Sequence, residues 1–526
     1  MSDQTVASRR RPWTSTDRRH AERDGSGLRA GTRAPGGRRD VPAPGLVAGA
    51  VYVLLALLVF WPVQPFSTTK VVSCGCYDVA EQMWFLAWTP HAILHGLNPF
   101  YTNALNVPFG ANLAANTTMP LLGILASPIT LGLGPVASFN VLIRLALCAS
   151  AMSMCLVLRH YRLRWPVAFL GGLVYGFSPY MLAQGSLHLN LCFVPLFPPL
   201  VVAIDELVVR DRHSARRAGL TLGALATAQY FISSELLADL GVLTVIGLVL
   251  LAVRYPARAR ARARRIATGV GWALVPFVVL VAYPFVFSLA GPEHVAGSGF
   301  NVDQIDIYRN DVLSPLVPTT GQLLAPGGWG RLGTSLVPNP GLANSQALPG
   351  PENDAYIGIP LVAFWLASLG WSLARRNGRA LVLGVLAGVA FLLSLGPMLD
   401  LHGRTTSVSL PFGWLEKLPV YDFSAPSRLS LFSDLGLVVC VAFAFDALLG
   451  WLGERRWRDV RLRTAIAGGA LAGVALVPLL PSQAIVTAAA DVPGYFSSPA
   501  VQRIAPGAVV LAYPYPQLSW NEAQLW

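Results

Sequence analysis

Apolar residues recur in blocks long enough to cross a bilayer: 45–66, 135–158, 166–183, 188–209, 217–232, 236–253, 266–289, 355–374, 380–397, 429–453 and 464–480. A spanning helix needs about 20 mostly apolar residues, so the pattern predicts about eleven transmembrane helices. A twelfth block, 119–133, is short and interrupted by Pro120 and Pro128, which predicts an interfacial or re-entrant helix. Between the blocks lie three long polar loops, 67–118, 290–354 and 398–428, and a final segment, 481–526. The fold class expected is an all-α polytopic membrane protein, with interfacial helices in the first long loop.

Charge sets the orientation. Of 39 Lys and Arg residues, 31 fall in the segments 1–44, 159–165, 210–217, 254–265, 375–379 and 454–463, which alternate with the long loops. Positive loops stay on the cytoplasmic side, so the expectation is a cytoplasmic N-terminus and an extracytoplasmic C-terminus in a cell membrane. The net charge of +12 is then a topology signal and needs no nucleic-acid partner. Residues 1–44 are rich in Arg, Gly and Pro and read as a disordered basic arm. Segment 481–526, in which Ala508–Tyr513 alternates weakly and suits a strand, reads as a small extracytoplasmic piece, either a minimal domain or the opening of one cut short.

Composition excludes several classes. Apolar residues make up 54% of the chain and charged residues 13%, with a mean hydropathy of +0.52, too little charge to cover several soluble globules. Six cysteines without a Cys-x-x-Cys pair give no zinc ribbon, thioredoxin-like motif or disulfide scaffold, and Cys74 and Cys76 read as free thiols. The sequence carries no P-loop, no zincin helix motif, no nucleophile elbow and no dinucleotide-binding glycine fingerprint.

The first long loop holds the densest candidate chemistry. From Asp78 to His95 the apolar positions Met83, Trp84, Ala87, Trp88 and Ile93 follow helical spacing, and Asp78, Glu81 and Gln82 head the first turn. Carboxylates there gain from the helix dipole, and Trp84, Phe85 and Trp88 suit a headgroup interface. A helix lying on the membrane surface would present its acids to a lipid-borne substrate. Other ionisable groups stand at span ends: His188 near Gln184 and Asn190, Glu235 behind Ser233 and Ser234, Asp239 one turn further on, and Arg428 at the mouth of the tenth span. Asp434, Asp446 and Arg144 read as structural ion-pair partners. Asp303 with Asp306, and Glu352 with Asp354, are acid pairs better read as polar loop surface than as cation sites. Asn116-Thr117-Thr118 fits the glycosylation triplet, a pattern common by chance.

Asp78, Trp84, Trp88, His91, Gly96, Asn98-Pro99-Phe100, Pro108, Gly110, Asn112-Leu113, Pro128, Gly134-Pro135 and Asn140 together resemble the first-loop signature of bacterial integral-membrane glycosyltransferases of the GT-C superfamily. Further matches are Ser178-Pro179-Tyr180 with Gln184 and His188, Ser234-Glu235, Tyr356 to Gly358, and Pro411, Pro419, Pro426 and Arg428. Cys74-Gly75-Cys76 and Val79 depart from it, standing where a glycine before the aspartate and a proline after it are expected. The resemblance implies a polyprenyl-phosphate-linked sugar as donor and an extracytoplasmic glycan, lipid or protein as acceptor, with inversion at the anomeric carbon. It implies Asp78 as the catalytic acid/base residue, with Glu81, His91, Gln184, His188, Glu235 and Arg428 binding substrate. It leaves a divalent cation open as cofactor. A hydroxyl nucleophile needs a base and a departing phosphate needs a cation, and an arginine fork suits phosphate oxygens best. The rivals are a transporter or flippase for a lipid-linked glycan and a non-catalytic envelope-assembly protein. If the enzyme reading holds, Asp78, His188, Glu235 and Arg428 converge on one cavity.

Overall fold

The computed structural model describes residues 43–73, 77–295, 308–325, 327–336, 355–418, 421, 424–454, 460–482, 487–490, 494–496 and 498–511. Most of the basic arm, Cys74, Cys76, the pairs Asp303/Asp306 and Glu352/Asp354, and Pro419 lie outside the described residues.

Proline and capping side chains set most helix starts. Helix α1 is Ala43–Val59, followed by strand β1, Lys70–Val72, and helix α2, Tyr77–Leu94. Two short strands, β2 at Tyr101–Thr102 and β3 at Ala111–Asn112, form a hairpin. Then come α3 (Pro120–Leu133), α4 (Pro135–His160), α5 (Trp165–Gly176) and α6 (Pro179–Gln184), each with proline in its first turn, where a missing N–H costs nothing. Next are α7 (Leu189–Cys192), α8 (Phe197–Asp205) with a π turn over Glu206–Arg210, α9 (Ala215–Tyr230), α10 (Ser234–Arg254) and α11 (Pro256–Ala290). Ser178, Ser214 and Ser233 cap α6, α9 and α10 through their hydroxyls.

The second half holds α12 (Gly327–Ser335), α13 (Ile359–Ala374), α14 (Gly378–Ser394) and a hairpin of β4 (Met398–Leu401) with β5 (Arg404–Ser409). It continues with α15 (Phe412–Leu415), a 3-10 turn over Pro426–Leu429, α16 (Ser430–Glu454), α17 (Val460–Leu476) and β6 (Thr487–Ala489). Strand β6 pairs antiparallel with β1, so part of the final segment returns to the entry of α2. Where the alternation of Ala508–Tyr513 predicts a strand, 508–511 carry none, and 512–513 lie outside the described residues.

Among the described residues, four helices are long and apolar enough to cross a membrane: Pro135–His160, Ser234–Arg254, Pro256–Ala290 and the run Pro426–Leu452. Six shorter apolar helices accompany them, α1, α3, α5, α13, α14 and the end of α17. The apolar block 188–209 is broken into α7 and α8 because Pro195, Pro198 and Pro199 remove backbone donors that one continuous helix would need. Block 166–183 is divided between α5 and α6 at Phe177-Ser178 for the same reason, Pro179. Block 119–133, in contrast, is a single helix that contains Pro128.

Helix α4 is the hub. Its buried Phe139, Ile143, Leu147, Ala151 and Met154 meet α2, α3, α5, α7 and α8. Arg144, expected as an ion-pair partner, binds carbonyls instead: those of Asn140 (2.6 Å), Phe60 (2.9 Å) and Val63. It thereby binds the turn that follows α1 to α4. One turn earlier, Asn140 accepts from the Val72 amide and donates to the Ser67 and Lys70 carbonyls, fixing the strand that leads towards α2. Asp446 does pair with Arg164, at 2.8 Å. Helices α9 and α11 touch backbone to backbone, the α-carbon of Gly219 facing the Gly269 carbonyl and that of Gly223 the Ala273 carbonyl.

Candidate functional site

Helix α2 carries the first group of polar residues. Val79, Met83 and Leu86 face the core while Phe85, Trp88 and Ala92 pack on Leu113, so the helix is clamped on two sides and its first turn is fixed in place. Trp84 and Trp88 stack, with ring centres 5.4 Å apart. Ile93, expected on the apolar face, is exposed.

Asp78 in that first turn meets His188, which N-caps α7: Oδ2 and Nε2 are 3.0 Å apart, with the side chains 29% and 12% exposed. His188 Nδ1 lies 2.7 Å from Gln184 Oε1 at the end of α6. With the Gln184 amide turned to donate to Nδ1, the neutral ring donates from Nε2 to Asp78; with Oε1 accepting from Nδ1, only the imidazolium donates at both nitrogens. The carboxylate therefore has an oriented donor behind it and solvent on its open side. Gln82, buried, locks this geometry: it donates to the Leu187 carbonyl (3.0 Å) and accepts from the Leu189 amide (2.6 Å), fastening α2 to both sides of His188.

Glu81 joins the same group. Asn116 donates to its Oε1 at 2.5 Å. Burial pushes the Glu81 carboxyl above its ordinary range; the Asn116 bond works against this, and the charge of Asp78 adds to it. Two neighbouring carboxylates thus stand in different environments, one backed by a histidine and one partly desolvated.

The second group joins α10 to the 3-10 turn before α16. Arg428 Nη1 lies 2.5 Å from Glu235 Oε2, with side chains 18% and 20% exposed. The turn is pinned by the Ser427 amide on the Tyr308 carbonyl and by Asn310, which donates to Ser394 and Ser430. Asp239, one helical turn beyond Glu235, is completely buried. The Tyr421 hydroxyl neighbours both acids: burial, then Asp239, then Glu235 push its pKa up.

Of the residues expected at the site, Asp78, Glu81, Gln184 and His188 are brought together, and Glu235 and Arg428 form a separate pair. His91 belongs to neither. It is exposed at the far end of α2, roughly 20 Å from Asp78 at 1.5 Å per residue, with its ring against Trp88 and His95. Sequence reasoning missed Asn116 as a site residue, the bridging role of Gln82, and Tyr421. Among the described residues no group of three or more His, Cys, Asp or Glu side chains is arranged to hold a metal ion.

No family model and no curated protein sequence matches the chain. Among solved structures, the arabinofuranosyltransferase AftD from mycobacteria is similar over 86% of this chain and 28% of its own, at 14% identity and a TM-score of 0.43. The archaeal oligosaccharyltransferase AglB from Archaeoglobus fulgidus, in complex with an inhibitory peptide and a dolichol-phosphate, is similar over 84% of this chain and 56% of its own, at 12% identity and a TM-score of 0.40. The chain thus spans well under two thirds of the length of either.

Proposed function

We propose that the protein is a membrane glycosyltransferase that moves a sugar from a polyprenyl-phosphate carrier onto a hydroxyl of an extracytoplasmic glycan, lipid or protein. The observation that carries this reading is the Asp78–His188–Gln184 chain of contacts, which joins the first turn of α2 to the α6–α7 connection. In the step proposed, the acceptor oxygen forms its bond to the anomeric carbon while Asp78 takes the hydroxyl proton. The bond from the anomeric carbon to the phosphate oxygen breaks, its electron pair leaves with the polyprenyl phosphate, and the configuration inverts. His188 acts as a positioning residue that holds one carboxylate oxygen so that the other faces the acceptor. Arg428 supplies the counter-charge for the departing phosphate, turning from Glu235 towards it, which a guanidinium does well.

A general base contributes typically 10²–10⁴-fold. Asp78→Asn is therefore expected to cut transfer of labelled sugar from a polyprenyl-phosphoryl donor by roughly 10²-fold or more in proteoliposomes, with the protein still folded. The rival reading, a transporter of lipid-linked glycans, draws support from acids within α10, because ionisable groups at membrane depth often mark transport paths. Unchanged transfer in Asp78→Asn, or translocation of an intact glycolipid without a new glycosidic bond, would favour it over the enzyme.

A further inference from the structure

Beside the Glu235–Arg428 pair lies a set of polar atoms that the fold itself does not satisfy. Among the described residues neither oxygen of Asp239 has a hydrogen-bond partner, and the same holds for Glu235 Oε1, the Tyr421 hydroxyl and the Ser427 hydroxyl. Asp239 is 0% exposed, Tyr421 4% and Ser427 2%. Tyr421 adjoins the Asp239 carboxylate without the geometry of a hydrogen bond. A buried carboxylate without partners is costly, and an apolar residue of similar size would pack there at no loss. The position is thus a poor structural choice, and its acceptors invite a ligand that brings its own donors.

The charge pattern narrows the ligand class. A second cation is disfavoured by the Arg428 guanidinium, which already sits 2.5 Å from the neighbouring carboxylate. A neutral group with several hydroxyls fits better, because a hydroxyl can donate to a carboxyl oxygen or accept from a carboxyl O–H, so adjacent hydroxyls match both atoms of the acid. Tyr421 adds a hydroxyl that donates or accepts. We propose that Asp239, with Tyr421 and the free oxygen of Glu235, forms the subsite that accepts neighbouring hydroxyls of the sugar ring on the lipid phosphate. This inference rests on the transferase reading and deepens it. It makes Asp239 the residue that reads the sugar, next to the arginine that meets the phosphate.

The test uses the full chain in nanodiscs and two kinds of probe: farnesyl phosphate, and farnesyl-phosphoryl mannose, glucose, galactose and arabinofuranose. Wild-type protein is expected to bind at least one sugar-bearing lipid more tightly than farnesyl phosphate. Asp239→Asn should weaken that binding about tenfold to a hundredfold, the loss expected when a buried hydrogen-bonding group loses its match. Binding of farnesyl phosphate should stay within about twofold, which also reports that the variant is folded. Tyr421→Phe, which keeps the ring and removes only the hydroxyl, should weaken the sugar lipid alone by a smaller factor. Equal weakening of both kinds of lipid in Asp239→Asn, or weakening of neither, overturns the proposal. So does equal affinity of the wild type for farnesyl phosphate and every sugar lipid, although the lipid-phosphate reading would survive that result. Failure of the wild type to bind any of the lipids would instead remove the donor class, and this inference with it.

Discussion

Replacing Arg428 by alanine exposes the electrostatics of the second group most directly. The guanidinium lies 2.5 Å from Glu235, on a different element 193 residues away, and each side chain is about one fifth exposed. Its removal leaves Glu235 and the wholly buried Asp239 one helical turn apart without that counter-charge. Breaking a buried ion pair from one side costs about 3–5 kcal/mol. The residual exposure of both partners allows some screening, so about 2–3 kcal/mol is expected here. Unfolding by SDS in mixed micelles would read this as a roughly 30- to 150-fold fall in the folded-to-unfolded ratio. Arg428→Ala combined with Glu235→Gln removes the stranded charge and should recover at least half of the loss. A cost below about 0.5 kcal/mol, the range of ordinary surface substitutions, or no recovery in the double variant would refute the view of this pair as desolvated and mutually dependent.

Other expectations concern Glu81 and the glycines of α9 and α10. Because the Glu81 carboxyl titrates above its ordinary range, the folded state holds that proton more tightly than the unfolded chain. Stability from this group is therefore fully present below the ordinary glutamate range and declines as pH rises through the raised value. Glu81→Gln removes the decline, so the melting temperature of the variant relative to wild type should rise between pH 4 and pH 8, roughly the window above an ordinary glutamate pKa; a constant difference contradicts the assignment. Gly219→Ala drives a methyl group into the Gly269 carbonyl and should lower thermal stability. Gly241→Ala, in open space inside α10, should raise it by about 0.5–1 kcal/mol. Equal effects at the two glycines would mean that α9 and α11 do not pack as described.

The helical spacing from Asp78 to His95 was legible because its apolar positions repeat with the helix period, and α2 occupies 77–94. Asp78 and His188 were each legible by type and place, but their pairing joins residues 110 positions apart, and no local pattern encodes that. Gln82 and Asn116 escaped because an uncharged amide has no sequence signature; only the buried loop and carboxylate opposite give it work. Hydropathy also overran the helices at 188–209, since it averages over Pro195, Pro198 and Pro199, which break the backbone ladder without making the stretch polar. Arg144 was misread because charge suggests an acidic partner, whereas here backbone carbonyls of the turn after α1 accept from it. His91 carried a motif resemblance and nothing in its periodicity, and α2 turns it away from Asp78.

The claim that most depends on three dimensions is that both polar groups face one sugar-phosphate. A structure of the full chain in nanodiscs with a bound farnesyl-phosphoryl sugar tests it. The account predicts the phosphate on Arg428 and the Asp78 carboxylate within reach of the anomeric carbon's open face through no more than one acceptor hydroxyl or water. A phosphate held elsewhere, or Asp78 separated from the anomeric carbon by other protein side chains, would contradict it.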